Sequence, residues 1–241
     1  MKKIITLSLA LSMVAITNAQ WGKRIKGDGN VVTMERSVGE YDEVALSGWF
    51  DVDLVDGREG EITLKGESNL LEYIKTEVKN GTLVIKTEKG VNLRPSNWGS
   101  GIRITVPVQD ISSVSLSGSG DIVGRTTLKS DSFSARIAGS GDIELSVEAQ
   151  RVEASLSGSG DIKLSGKATD LDVQVSGSGD VKAYDLEAEF VTAAVSGSAD
   201  IKVTANQSID ARVSGSGDIS YRGNPQKISS KSSGSGDISK G

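Results

Sequence analysis

From residue 111 to the C-terminus, apolar and polar positions alternate with period two, and one short polar turn interrupts them at near-constant intervals. Counting back from Asp161, positions −9, −7 and −5 are Val152, Ala154 and Leu156, with Glu153 and Ser155 between them. Before Asp180 the same slots hold Leu171, Val173 and Val175; before Asp218 they hold Ile209, Ala211 and Val213. The residue after each of these Asp positions is Ile or Val. Such alternation predicts strands with one buried face. The turn begins at Gly118-Ser119-Gly120-Asp121. It returns at Gly139, Gly141 and Asp142, at Gly158, Gly160 and Asp161, and at Gly177, Gly179 and Asp180. Three more copies follow: Gly197 with Asp200 (Ala199 taking the second glycine's place), Gly215, Gly217 and Asp218, and Gly234, Gly236 and Asp237. The Asp-to-Asp intervals are 21, 19, 19, 20, 18 and 19 residues.

Each unit therefore reads as strand, Ser-Gly-Ser-Gly turn, strand and second turn. One unit cannot bury its own apolar face, but units stacked about 4.8 Å apart build a continuous core. A propeller blade needs about 40 residues and a leucine-rich repeat needs a Leu/Asn consensus. The pattern predicts an all-β, single-stranded solenoid, a parallel β-helix with about 19 residues per rung. The turn glycines are expected to take positive φ or to allow close stacking of backbones. In the last unit the inward slots become Ser230 and Ser232, a polar closing rung that keeps an open edge from templating aggregation.

Residues 30–110 are irregular but related. Leu46-Ser47-Gly48-Trp49-Phe50-Asp51-Val52 is a decayed copy of the turn unit. Glu61–Lys65 reads as a strand, Ser68 and Asn69 as the cap of a short helical turn, and Lys79-Asn80-Gly81 as a hairpin turn. Ile102–Val106 then leads through Pro107 into the first regular rung. No linker separates the halves, so residues 20–241 are expected to form a single domain, irregular over 30–110 and regular over 111–239.

The first 19 residues read as a signal peptide. Lys2 and Lys3 precede an apolar run from Ile4 to Ile16, and Thr17-Asn18-Ala19 offers small residues at a cleavage site. The run is shorter than the roughly 20 apolar residues of a membrane span, and no later segment is apolar enough to cross a bilayer. The mature chain is thus expected outside the cytoplasm: in the periplasm, at the outer-membrane surface or extracellular. Losing Lys2 and Lys3 takes Lys+Arg from 27 to 25 against 32 acidic residues, a charge of −7. That balance argues against a nucleic-acid partner. The chain has no His and no Cys, so imidazole bases, thiol nucleophiles, zinc–sulfur sites and disulfides are all excluded.

Several segments together resemble a known family. They are Val44–Leu54, Leu71-Glu72-Tyr73-Ile74, Val78–Ile85, Ile104-Thr105-Val106-Pro107 and the serial Gly-Ser-Gly-Asp turns. From about Tyr41 to the C-terminus the chain is similar to the autotransporter adhesin head-domain family, common in Bacteroidetes. The resemblance implies a right-handed parallel β-helix in a surface or periplasmic setting, with an adhesive role and no catalytic residues to carry over.

Stacking puts seven Asp carboxylates in one column, where each neighbouring repulsion amounts to about 1–4 kcal/mol depending on the local dielectric. Turn N–H groups and Ser hydroxyls are expected to offset it. Lysines two residues on, as in Asp161/Lys163, Asp180/Lys182 and Asp200/Lys202, are expected to add a ladder of alternating charge. Calcium is the alternative, since it favours carboxylate and carbonyl oxygens. The calcium β-roll, however, repeats its glycine-rich turn twice as often and spaces Gly and Asp differently. No cofactor is expected. The segment Asn92–Gly101 breaks the repeat, and its Arg94 and Trp98 are the candidate binding residues, because Trp faces suit sugar rings and Arg is a favoured contact residue. The competing role for Trp98 is to cover the end of the core; Trp49 is expected to fill a core or cap site. The reading is a non-enzymatic adhesion or binding module whose partner is a glycan or an extracellular protein. The alternatives are a polysaccharide-active β-helix enzyme and a calcium-stabilised scaffold.

Overall fold

The computed structural model describes residues 22–97 and 101–241. The expected signal peptide and Trp98 lie outside the described residues. Five long strands, Ile122–Gly139, Ile143–Gly158, Ile162–Gly177, Val181–Gly197 and Ile201–Gly215, each make one coil of a parallel β-solenoid. The two ends of a coil pair with different strands. The start of Ile122–Gly139 lies beside Asp51–Asp56, and its end lies beside Ser113–Gly118. The coils thus present two walls joined at the Gly-Ser-Gly-Asp corner.

The period-two pattern dictates what faces inward. Leu156, Val173, Ile162 and Val181 are buried, while Ser157 and Lys163 are exposed. The post-Asp residues stack in register, Ile122 on Ile143 on Ile162 on Val181 on Ile201 on Ile219. The second corner differs from the expected turn, because the strand continues through it. Its ladder breaks register between Val123 and Thr127, between Lys163 and Ser165, and twice between Ala183 and Phe190. These are junctions where coils of unequal length meet. Two neighbouring 19-residue coils, Ile143–Gly158 and Ile162–Gly177, match without a recorded shift. Bulges at this corner absorb the surplus residues, leaving the glycine corner uniform.

The first copy of the corner joins Glu43–Gly48 to Asp51–Asp56. The chain then leaves the coil, and the excursion closes the N-terminal end. Val31–Ser37 pairs antiparallel with Glu61–Glu67, and Ile74–Lys79 with Thr82–Thr87. The hairpin turns through Asn80 and Gly81 at φ 51° and 82°, the conformation that Asn-Gly favours. The chain returns through Arg103–Val108, beneath Asp51–Asp56, and Ser113–Gly118 settles on Glu43–Gly48. The helix is one turn, Ser68–Leu71, with Leu70 and Leu71 plugged into the core. Ser68 and Asn69 lie inside it and do not cap it. Ser68 Oγ donates to Asp28 Oδ2 at 2.7 Å, and Asn69 Nδ2 donates to the Lys26 carbonyl at 2.8 Å. The far end of the helix is held by Arg36, whose guanidinium donates to the carbonyls of Leu71 and Ile74. The closing rung, Lys227–Gly234, is exposed along its whole length.

Candidate functional site

Two features of the surface carry chemistry: the Asp corner and the clefts around Trp49. In the corner each aspartate is tied to the next coil. Asp142 N–H donates to Asp121 Oδ1 at 3.0 Å, Asp161 N–H to Asp142 at 2.8 Å and Asp180 N–H to Asp161 at 3.0 Å. The series continues from Asp200 to Asp180, from Asp218 to Asp200 and from Asp237 to Asp218. Asp51 starts it, accepting from Asp121 at 3.4 Å. Each donated N–H offsets part of the repulsion in the column, since a hydrogen bond to a charged group contributes about 1.5–3 kcal/mol. Two of the three expected lysines pair between coils and not along a strand, Lys182 Nζ meeting Asp161 Oδ2 at 2.6 Å and Lys163 Nζ meeting Glu144 Oε1 at 2.7 Å, while the expected Asp200/Lys202 pair does not form. Among the described residues no cluster of three or more His, Cys, Asp or Glu side chains is placed to hold a metal ion.

The glycines allow this contact. A Cβ on Gly118, Gly139, Gly158, Gly177, Gly197, Gly215 or Gly234 would lie 2.0–2.3 Å from the carbonyl oxygen of the glycine one coil below. On Gly120, Gly141, Gly160, Gly179, Gly217 or Gly236 it would lie 1.8–2.0 Å from the oxygen below.

Asp161 titrates through this network. Burial works against ionisation, but the hydrogen bonds from Lys182 and the Asp180 N–H prevail and hold its carboxyl below the ordinary 3.8. A depressed folded value gives stability that is full above the unfolded value and is lost as pH falls through the folded one. Thermal melts should therefore show wild type losing stability between about pH 5 and about pH 2, with Asp161→Asn losing measurably less over the same range. Asn keeps an acceptor for the Asp180 N–H but has no charge to titrate.

Trp49 occupies the corner position that holds Ser119, Ser140 and Ser159 in the coils above it. It is half-buried, packs edge-on against Phe50 with ring centroids 6.0 Å apart, and lines two clefts. One, of about 580 Å³, is lined by Trp49, Asp51, Leu93, Arg94, Ser96 and Asn97, among others. The other, of about 730 Å³, is lined by Ser117, Ser119 and Ser140 together with Lys86, Glu88 and Lys89, among others. Burial pushes the Asp51 carboxyl upward, only partly countered by the Asp121 N–H and by Arg103.

The Arg94 segment is held by a carboxylate deep in the protein. Glu67 is fully buried; its Oε2 accepts the Gly29 N–H at 2.6 Å and its Oε1 the Ser96 N–H at 2.7 Å. Gly27 leaves the room, because a Cβ there would fall 2.0 Å from Glu67 Oε2. A strap, Lys23–Lys26, runs parallel to Val91–Arg94 and completes the outer side.

The family model described as "Putative auto-transporter adhesin, head GIN domain" matches residues 40–225, from the first corner to the last buried coil. The chain belongs to this family. Among solved structures, this head domain is similar to one described as a "putative adhesin" from Bacteroides fragilis NCTC 9343. The two are 26% identical with a TM-score of 0.84, over 90% of this chain and 99% of the other. A "putative lipid binding protein" from Parabacteroides distasonis ATCC 8503 is 29% identical with a TM-score of 0.75, over 91% of this chain and 100% of the other. A "putative adhesin" from Parabacteroides merdae ATCC 43184, 18% identical with a TM-score of 0.72, shares the fold. No curated protein matches.

Within the head domain, Arg94 is brought beside Trp49 and Asp51, so a residue picked out for breaking the repeat and two that continue it line one cleft. Trp49 fills a core-side position with part of its ring and a cleft wall with the rest. Glu67 escaped the sequence reading, because one Glu beside a short helix looks like any solvated charge. The one available signal was Gly27, whose missing side chain makes the space.

Proposed function

We propose that this adhesin head domain is an exported, non-enzymatic module that binds a glycan at the Trp49 clefts. One observation carries the reading: a Trp replaces Ser at the foot of a serine-lined wall, where it is only partly buried and lines two clefts rather than being sealed in the core. A partly exposed indole offers an apolar surface to a sugar ring, while Ser117, Ser119, Asp51 and Asn97 line the clefts with polar groups. The coil interior is filled by apolar side chains, mostly aliphatic with Phe50 and Phe133 among them, which leaves ligands the outer surface. Stiff stacked coils support adhesion because little ordering accompanies binding. The family and the Bacteroides fragilis neighbour support the adhesive role, and the N-terminal Lys-Lys and apolar run support export.

The test is to apply residues 20–241 to an array of glycans and matrix proteins, with calcium and with chelator. The expected result is saturable binding to one glycan class, unchanged by chelator, and weakened at least about tenfold by Trp49→Ser, as for loss of an aromatic anchor. Trp49→Ser installs the residue that the other corners carry but removes the ring's packing on Phe50, so a melt beside wild type checks that the variant still folds cooperatively before binding is compared. Equal binding by both proteins would overturn the placement at Trp49, and binding confined to matrix proteins would overturn the glycan.

A further inference from the structure

The strap beside the Arg94 cleft carries an unusual charge arrangement for an acidic protein. Lys23–Lys26 and Val91–Arg94 pair in parallel with Arg24 opposite Asn92, Ile25 opposite Leu93 and Lys26 opposite Arg94. Alternation turns Leu93 into the core and puts Arg24, Lys26, Asn92 and Arg94 together on the outward face. Like charges directly opposite one another on neighbouring strands repel. Several outward cations elsewhere on the solenoid meet carboxylates across the coils, as in Lys163–Glu144, Arg136–Glu153 and Lys129–Glu148, and those that do not, such as Lys167, stand singly rather than in a cluster. Among the described residues, Arg24, Lys26 and Arg94 have no such partner. Lys89, which lines the other Trp49 cleft, has none either.

Resting on the glycan reading, we infer that the ligand is an anionic sugar chain, with an acid group on the Lys26–Arg94 face and a ring against Trp49. Arg meets carboxylate or sulfate oxygens with a planar fork of donors, which suits a ligand that must be oriented as well as attracted. Lys89 lies in the neighbouring cleft that Trp49 also lines, so a chain spanning the indole meets a cation in each cleft. The chain's acid groups must sit by Arg94 and Lys89 and away from Asp51 and Glu88, which line the same two clefts. Ser117, Ser119 and Ser140 in the Lys89 cleft offer hydroxyls to the uncharged part of the chain.

Titrations of the chain spanning residues 20–241 decide it, using an oligogalacturonate, a sialylated oligosaccharide and a sulfated oligosaccharide. Each is paired with its carboxyl-reduced or desulfated form. At least one acid form is expected to bind tenfold or more tighter than its neutral partner and to weaken as salt rises from about 50 to about 500 mM. Arg94→Gln and Lys26→Gln should each lower that affinity several-fold and flatten the salt dependence, whereas Lys167→Gln, on the exposed surface of a middle coil, should not. Which acid form responds separates carboxylate from sulfate. Trp49-dependent binding that is equal for acid and neutral forms would overturn the anionic ligand and leave the glycan reading standing. Acid-selective binding indifferent to Arg94→Gln and Lys26→Gln, or no binding of any acid form, would also overturn it. Failure of the glycan reading would instead show as no Trp49-dependent binding to any sugar, charged or neutral.

Discussion

Ile162→Asp is expected to unfold the middle of the solenoid. Ile162 is fully buried, stacked between Ile143 and Val181 in a column of aliphatic side chains. Its own N–H is committed to the Asp180 carbonyl, and the Asp161 carbonyl below it to Ile143 N–H. A carboxylate at this place would find no donor and no water. An uncompensated buried charge costs about 3–5 kcal/mol, against a total stability of about 5–15 kcal/mol for a typical domain. In a stacked array each coil rests on its neighbours, so failure of one middle coil separates the regular coils above from the capped ones below. Thermal melts by circular dichroism should show a large loss or no cooperative transition; an unchanged melt would refute the inward placement.

The second large effect is expected at the first glycine of the corner. Gly158 has φ 141°, a conformation that L side chains avoid, and an added Cβ would lie 2.0 Å from the Gly139 oxygen. Backbone strain and a clash with main chain, which cannot swing aside, act together. Gly158→Ala should destabilise by about 3 kcal/mol or more, lowering the melting temperature by about 10 °C. Gly179→Ala should do less despite a similar contact. Its φ is not in the left-handed region, and the next coil carries Ala199 in this column with the methyl fully buried. Melts of the two variants side by side check the order, and equal losses would remove backbone conformation from the explanation.

These two residues show which part of the fold is legible in the sequence. The strand pattern and the glycine corner repeat, so each copy corroborates the others, and position within a coil gives burial directly. Ile162 and Gly158 can be assigned without coordinates. The second corner has no repeated residues to mark it as continuous strand; it takes up differences in coil length with bulges, and bulges leave no fixed motif. Spacing along the strand pairs Asp161 with Lys163, yet stacking sets Lys182 against Asp161 and Lys163 against Glu144. Cross-coil partners lie 17 or more residues apart, and their choice depends on side-chain reach rather than on sequence spacing.

The candidate site was less legible for the same reason. Arg94 stood out because it breaks the repeat, and Trp49 because it replaces a serine. Nothing local joins them: the excursion from Asp56 to Arg103 brings residue 94 back to the first corner, and Glu67, Gly27 and the Lys23–Lys26 strap fix it there through contacts between distant segments. Single residues at unique positions carry no internal repetition to confirm them.

The account rests on Trp49 as the place where ligand meets solenoid, and a crystal structure of residues 20–241 with the best-bound array oligosaccharide tests this most directly. A sugar ring stacked on the Trp49 indole, with neighbouring residues reaching toward Arg94 in one cleft and Ser117 and Ser119 in the other, is the predicted result. A sugar bound on another wall of the solenoid, with both Trp49 clefts holding only water, would contradict it.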